Sequence, residues 1–190
     1  MARPRSSTPR ARGYSPLGRP SIPATHVDCP FVVAVDSREQ RPYTFQGIMA
    51  DADHNSLPLR IATRTCTLPM GGGDYSIFGW PGIALERKSA ADLYGSVGQR
   101  RENFEQRLTL MESERKFAAV IVEAHWDELL GDPPRHTKFK PKALFRSIIA
   151  WQQRYRGVHW VFCKDRDWAE RITFRMLERY WKDHQHERVG

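Results

Sequence analysis

The sequence predicts an α/β protein in which a mixed sheet is flanked by helices. Three observations lead there. Short runs rich in valine, isoleucine, alanine and threonine recur from residue 31 to residue 162. In the first half these runs are separated by glycine and proline turns too short to hold a helix, which is hairpin spacing. In the second half they alternate with apolar residues three and four apart, the period of one helix face.

Phe31-Val32-Val33-Ala34-Val35 is an apolar run that ends in Asp36. It reads as a buried strand delivering a carboxylate at its C-terminal end. Residues 37–58 read as loop, on Pro42, Gly47, Asn55 and Pro58. Arg60 to Leu68 is β-branched and threonine-rich, a second strand. After the Gly71-Gly72-Gly73 turn, Tyr75–Phe78 and Ile83–Glu86 are two short strands around Gly79-Trp80-Pro81-Gly82. Together with the second strand they read as a three-stranded meander. Ser89-Ala90-Ala91-Asp92 resembles a capping box and opens a helix, which Gly95 and Gly98 interrupt. A second helical run carries Phe104, Leu108 and Met111 on one stripe. Ala118–Val122 is a strand ending at Glu123, and residues 125–141 read as loop. Leu144, Ile148, Trp151 and Tyr155 mark a helix, Val158–Phe162 a last strand, and Ile172, Met176, Leu177 and Trp181 a closing helix. The tryptophans at 151, 160, 168 and 181 are most simply core, with an aromatic dimer surface as the other reading.

Residues 1–28 hold five arginines, many prolines and a single acid, Asp28, at their end. They are expected to be a disordered basic arm, with residues 29–190 as the folded domain. The formal net charge is +8. Such an excess favours a polyanion, and nucleic acid gains affinity by releasing counterions from its phosphates. Cys29, Cys66 and Cys163 are odd in number and far apart, which argues against a zinc site or a disulfide framework. A reducing, cytoplasmic setting fits them. No apolar stretch is long enough to cross a membrane, so no membrane partner is expected.

The chemistry gathers on charged residues at strand ends. Glu86 and Lys88 are two apart at the end of a strand and so share a face. If the neighbouring strands form a hairpin, Asp74 falls near the same end as Glu86, and Asp36 ends another strand. Carboxylates in one cleft stay ionised together only around a positive charge. Oxygen donors of that kind suit Mg2+ or Mn2+. Lys88 beside such an ion would add a fixed cation to orient water and stabilise a pentacovalent phosphate. These are the parts that phosphodiester hydrolysis needs.

Gly73-Asp74, eleven residues, Glu86-Arg87-Lys88, three residues and Asp92 read GD-x11-ERK-x3-D. This pattern resembles the signature of the XPF-family structure-specific endonucleases. Val35-Asp36-Ser37-Arg38-Glu39 resembles that family's first-strand motif, and the likeness runs over roughly residues 31–130. The resemblance implies a restriction-endonuclease-like α/β fold, with a mixed central sheet flanked by helices. It implies a divalent-metal-dependent DNA endonuclease that cuts branched, flapped or junction DNA, in repair or recombination. Asp74, Glu86 and the Arg87 carbonyl would hold the ion, Lys88 would be the catalytic lysine, and Asp36 would complete the acidic cluster. Arg87 points to the opposite face from Glu86 and Lys88 and is expected to brace Asp36, Glu39 or Asp92. Members usually carry a tandem helix-hairpin-helix module. Its pattern is not seen here, so a compact stand-alone nuclease is expected, and a homodimer is left open. A non-cutting DNA-binding module, and a nuclease for RNA or duplex ends, are the rival readings.

Several residues are open to two readings. Asp92 and Glu39 either support the site or cap and shape their loops. Glu123 either enters the cleft or faces water. Arg100, Arg101 and Arg107, with Lys138, Lys140 and Lys142 on the proline-bounded loop, are candidates for DNA backbone contact. The chain is expected in the cytoplasm at the nucleoid, or in the nucleus of a eukaryote.

Overall fold

A computed structural model describes residues 25–51, 57–135, 137 and 139–188. The basic arm up to residue 24, and Lys138, therefore lie outside the described residues. The strands are β1 (Val27–Asp36), β2 (Leu59–Cys66), β3 (Tyr75–Ile77), β4 (Trp80–Lys88), β5 (Phe117–Val122) and β6 (Val158–Phe162). The helices are α1 (Ala90–Val97), α2 (Arg101–Glu114), α3 (Trp126–Gly131), α4 (Pro141–Arg154) and α5 (Arg166–His184). β1 begins at Val27, so Val27 and Asp28, placed with the arm, belong to the sheet.

The strands form one sheet in the order β2-β1-β3-β4-β5-β6. β3 pairs antiparallel with both β1 and β4, whereas β1 with β2, β4 with β5 and β5 with β6 are parallel. The sheet is therefore mixed, as expected, and its second half is a run of parallel strands linked through helices.

The expected meander is only half present. The β3–β4 hairpin forms, with Tyr75 opposite Leu85. β2 does not join it and instead lies at the edge, parallel to β1. The reason is connection length: residues 37–58 are long enough to carry the chain back to the start of a parallel partner. β2 is largely exposed, as an edge strand with few apolar side chains must be. The expected loop at 125–141 also contains α3, whose six residues bury only Leu129 and so leave too little periodicity to read.

Strand alternation sends side chains to two cores. Val33, Val35, Ile77, Ile83, Leu85 and Ile121 pack under α5 with Tyr43, Phe45, Phe174 and Leu177. Ala84, Val120 and Val122 pack with Leu93, Phe104, Leu108, Met111, Ile148 and Trp151 from α1, α2 and α4. Trp151 is wholly buried, but Trp168 in the first turn of α5 is half exposed and is not core.

The helix starts follow local chemistry. Ser89 caps α1 by accepting from the Asp92 N–H, and Asp165 caps α5 by accepting from the Trp168 N–H. Pro141 stands in the first turn of α4, where its missing N–H costs nothing.

Candidate active site

Gly73 makes the approach of Asp74 possible. Its φ is +71°, and a Cβ there would lie 2.6 Å from the Leu85 carbonyl oxygen. Only glycine fits so close to β4 in that conformation. The Asp74 N–H then donates to Leu85 O at 2.8 Å, while its carbonyl accepts from the Asp36 N–H at 2.9 Å. Asp74 is thereby pinned between the end of β1 and β4. Its Oδ2 accepts from the Arg87 N–H at 2.7 Å. In an extended strand the N–H and C=O of one residue point to the same edge, so the Arg87 carbonyl is directed to the Asp74 side of β4.

Glu86 and Lys88 share the β4 face turned to α1 and α2, as the spacing predicts. Glu86 is fully buried, and its Oε1 accepts from Lys88 Nζ at 2.8 Å and from Arg107 at 2.6 Å. Its Oε2 is buried with no hydrogen-bond partner. Lys88 lies over the Phe104 ring, with Nζ 4.8 Å from the centroid. Asp74 keeps partial solvent access. Desolvation of its carboxyl nevertheless pushes its pKa up to about 8. The Glu86 charge pushes the same way, against the pull of Lys88 and of the Arg87 N–H. Two carboxyl groups that repel each other, one with a buried oxygen lacking any donor, fit a divalent cation between them.

Asp36 faces the same cavity but is already engaged. Its Oδ1 accepts from the Arg38 N–H at 2.7 Å and from Arg38 Nε at 2.8 Å. Its Oδ2 accepts from the second arm of the guanidinium at 2.8 Å and from the Leu68 N–H at 3.0 Å. Burial acts to raise its pKa, but the Arg38 and Leu68 donors outweigh it and hold the carboxyl below its ordinary range. Asp36, expected to complete the acidic cluster, thus lines the same cavity as Asp74 with both oxygens paired to Arg38 and Leu68. Among the described residues no group of three or more His, Cys, Asp or Glu side chains is placed to hold a metal. A guanidinium two residues downstream occupies the oxygens that the cluster would have needed.

Arg87 points to the opposite face, towards α5, as expected of its place between Glu86 and Lys88. Two of its nitrogens donate to Glu39 at 3.1 and 3.2 Å, and a third to Glu123 at 2.8 Å. Glu123 also accepts from Tyr43 at 2.9 Å and from Arg166 at 2.8 Å. All three of Arg87, Glu39 and Glu123 are under 10% exposed. Of the expected partners of Arg87, Glu39 is met, while Asp36 and Asp92 are not. Glu123 enters neither the cleft nor water, because the alternation of β5 turns it into this network.

Asp92 completes the capping box of α1 opposite the Ser89 cap. It accepts from the Ser89 hydroxyl at 2.6 Å and faces Arg100 at 3.6 Å. Arg100 lies over Gly95, exposed on the surface. Arg101 donates to Ser147 at 2.9 Å, pairs with Glu105 at 2.9 Å and lies over the Trp151 ring, tying α2 to α4. Arg107 alone of the three arginines reaches the acidic pair. Lys140 and Lys142 are exposed at the start of α4, outside the cavity lining.

The cavity beside the pair has a volume of about 400 Å3 and is lined by Asp36, Arg38, Met70, Asp74, Asn103, Gln106 and Arg107, among others. Arg38, Asn103 and Gln106 were missed as cavity residues. Arg38 carried one signal, an arginine two places after a strand-end acid. Asn103 and Gln106 carried none beyond lying four places and one place before Arg107 on one helix.

An acidic pair and a lysine thus gather at the junction of β1, β3 and β4 in a mixed α/β sheet. The model of the ERCC4 domain matches residues 35–176, three quarters of the sequence, so the chain belongs to the ERCC4-domain family of nucleases. It is similar in structure to XPF from Aeropyrum pernix, with 24% identity and a TM-score of 0.51 over 83% of this chain and 65% of that one. A second structure, XPF from Aeropyrum pernix in complex with DNA, matches at 24% identity and a TM-score of 0.51 over 84% of this chain and 68% of that one. The chain thus spans about two thirds of the length of these structures. No curated protein matches it.

Proposed function

We propose that the protein is a divalent-metal-dependent endonuclease that hydrolyses phosphodiester bonds in branched, flapped or junction DNA, with Mg2+ or Mn2+ as cofactor and DNA as partner. Its place would be the cytoplasm at the nucleoid, or a nucleus. The observation that carries this reading is the Asp74–Glu86 pair, set beside Lys88 with Glu86 Oε2 buried and unpartnered.

Asp74, Glu86 and the Arg87 carbonyl would hold the ion. When bound, it supplies Lewis-acid stabilisation to the phosphoryl group and acidifies water. The protein's own residues do the rest. Lys88, held by Glu86 and the Phe104 ring, presents a fixed cation where charge develops on the phosphate. Asp74 is held in place by the Arg87 N–H, and the side chain of that arginine locks β4 to the β1–β2 connection and to β5. Arg38, anchored on Asp36, sets a second positive group on the cavity wall.

Purified protein should cut fork, flap or Holliday-junction substrates with Mg2+ or Mn2+, and EDTA should stop it. Asp74→Ala and Lys88→Ala should each lower the rate by at least about a thousandfold while leaving the circular dichroism spectrum intact. Wild-type cutting by Asp74→Ala would reject the assignment. Preferred cutting of RNA, or of duplex ends, in the same panel would redirect it.

A further inference from the structure

Three cations surround the acidic pair, and they are held very differently. Arg38 is clamped by both oxygens of Asp36 and by the Leu68 carbonyl. Lys88 is 12% exposed and sits against the Phe104 ring. Arg107 projects from α2, is 40% exposed, and is held by an ion pair to Glu86 Oε1. That oxygen already accepts from Lys88, so Arg107 adds a second cation to one side of the carboxylate while Oε2 goes without. A double positive charge arriving at Asp74 and Glu86 would face Arg107 at close range, and like charges repel strongly in a poorly hydrated cleft.

The way out for Arg107 is furnished. Asn103 and Gln106 are exposed on α2, while Arg107, four residues after Asn103, lies at the edge of the buried stripe of Phe104, Leu108 and Met111. All three line the 400 Å3 cavity, with Arg38 among the residues across from them. An amide, a second amide and a long guanidinium on one wall, with another guanidinium opposite, match the donor set that grips phosphodiester oxygens. The arginine is long, partly exposed and already on the cavity wall, so side-chain rotation suffices to turn its guanidinium from Glu86 towards a ligand in the cavity.

We propose that Arg107 is a stand-in counter-ion, which leaves Glu86 when the divalent cation binds and then grips the DNA backbone beside the scissile phosphate. It is a positioning residue, and the proposal rests on the metal-site reading above. Metal loading thereby creates a DNA contact that the metal-free protein lacks. Cation binding and DNA binding reinforce each other through one side chain, and the reinforcement is reciprocal.

The test uses the full chain and two readouts besides cleavage. Mn2+ binding is followed by electron paramagnetic resonance, and binding of a fluorescent flap DNA by anisotropy, with EDTA or with Ca2+. Arg107→Gln keeps the stem and most of the helix packing, and Arg107→Lys keeps the charge. Without DNA, Arg107→Gln is expected to bind Mn2+ about tenfold more tightly than wild type, because the competitor is gone. With Ca2+, the same variant is expected to bind DNA about tenfold more weakly, with a salt dependence shallower by about one ion. With EDTA it should bind DNA as wild type does. Arg107→Lys should keep the wild-type salt slope. Unchanged or weaker Mn2+ binding in Arg107→Gln, or an equal loss of DNA affinity in EDTA and in Ca2+, overturns the proposal. Asp74→Asn separates the two levels of inference. If wild type binds Mn2+ only as weakly as Asp74→Asn, the metal site itself is refuted and this inference with it. If Asp74→Asn abolishes binding while Arg107→Gln changes nothing, only the role of Arg107 falls.

Discussion

Asp74 is a carboxyl group whose ionisation the fold opposes. Desolvation, and then the charge of Glu86, raise its pKa to about 8. The direction is the reverse of the usual case for an acid, and so is its effect on stability. Between the unfolded value near 3.8 and the folded value, the folded chain binds the extra proton and the unfolded chain has lost it. Stability of the metal-free protein should therefore fall as pH rises from about 4 to about 8, and a divalent cation should restore it on the alkaline side. Thermal unfolding in EDTA at pH 5.5 and pH 8.5, on wild type and Asp74→Asn, checks this. The wild type should lose more stability across the interval than the variant, and equal losses would contradict the raised pKa. Gly73 is the other decisive residue. Alanine there meets both a positive φ and a backbone carbonyl at 2.6 Å. Gly73→Ala should cost about 3 kcal/mol in denaturant unfolding and should also displace Asp74.

At the scale of elements, the site is held by buried charge rather than by apolar packing. Arg87 on β4, Glu39 after β1, Glu123 after β5 and Arg166 at the start of α5 form one network on the face away from the cavity. The paired guanidinium contacts satisfy the lone pairs, which is what makes such burial tolerable. Removing one partner strands the others. Arg87→Ala should destabilise by about 3–5 kcal/mol, whereas Arg87→Ala combined with Glu39→Gln and Glu123→Gln should cost less than Arg87→Ala alone. Guanidinium unfolding reads both, and a single-variant loss under 1 kcal/mol would show the network to be solvated. This coupling explains how a residue flanked by two residues of the candidate site supports it without facing it: it fixes the strand that carries both neighbours.

Across the whole molecule, one sheet divides two cores, and each core leans on the other through shared strands. β4 contributes Leu85 to the α5 side and Ala84 to the α2 side, and β5 likewise contributes Ile121 and Val120. The two layers should therefore unfold together. Phe174→Ala on one face and Trp151→Ala on the other should each cost about 3–5 kcal/mol. Each should give a single transition by both tryptophan fluorescence and far-ultraviolet circular dichroism. Separate midpoints would show that the faces fold independently. The cavity opens at the ends of β1, β3 and β4, the antiparallel centre of the sheet between its parallel flanks. Strand ends converge there, and so do the acids placed on them.

The sequence by itself determined what depends on near neighbours. Strand alternation put Glu86 and Lys88 on one face and Arg87 on the other. The capping residue Ser89 started its helix, and the glycine turn with the β3–β4 hairpin brought Asp74 towards Glu86. These follow from backbone geometry over a few residues, so periodicity and turn chemistry reveal them. Only the tertiary structure decided the rest. Nothing local says that β2 returns beside β1, that Arg38 claims the oxygens of Asp36, that Glu123 answers Arg87, or that Arg107 rather than Arg101 reaches the acidic pair. Those outcomes are choices among competing long-range partners, and a charged side chain of given length takes whichever partner the packed sheet and helices set within its reach.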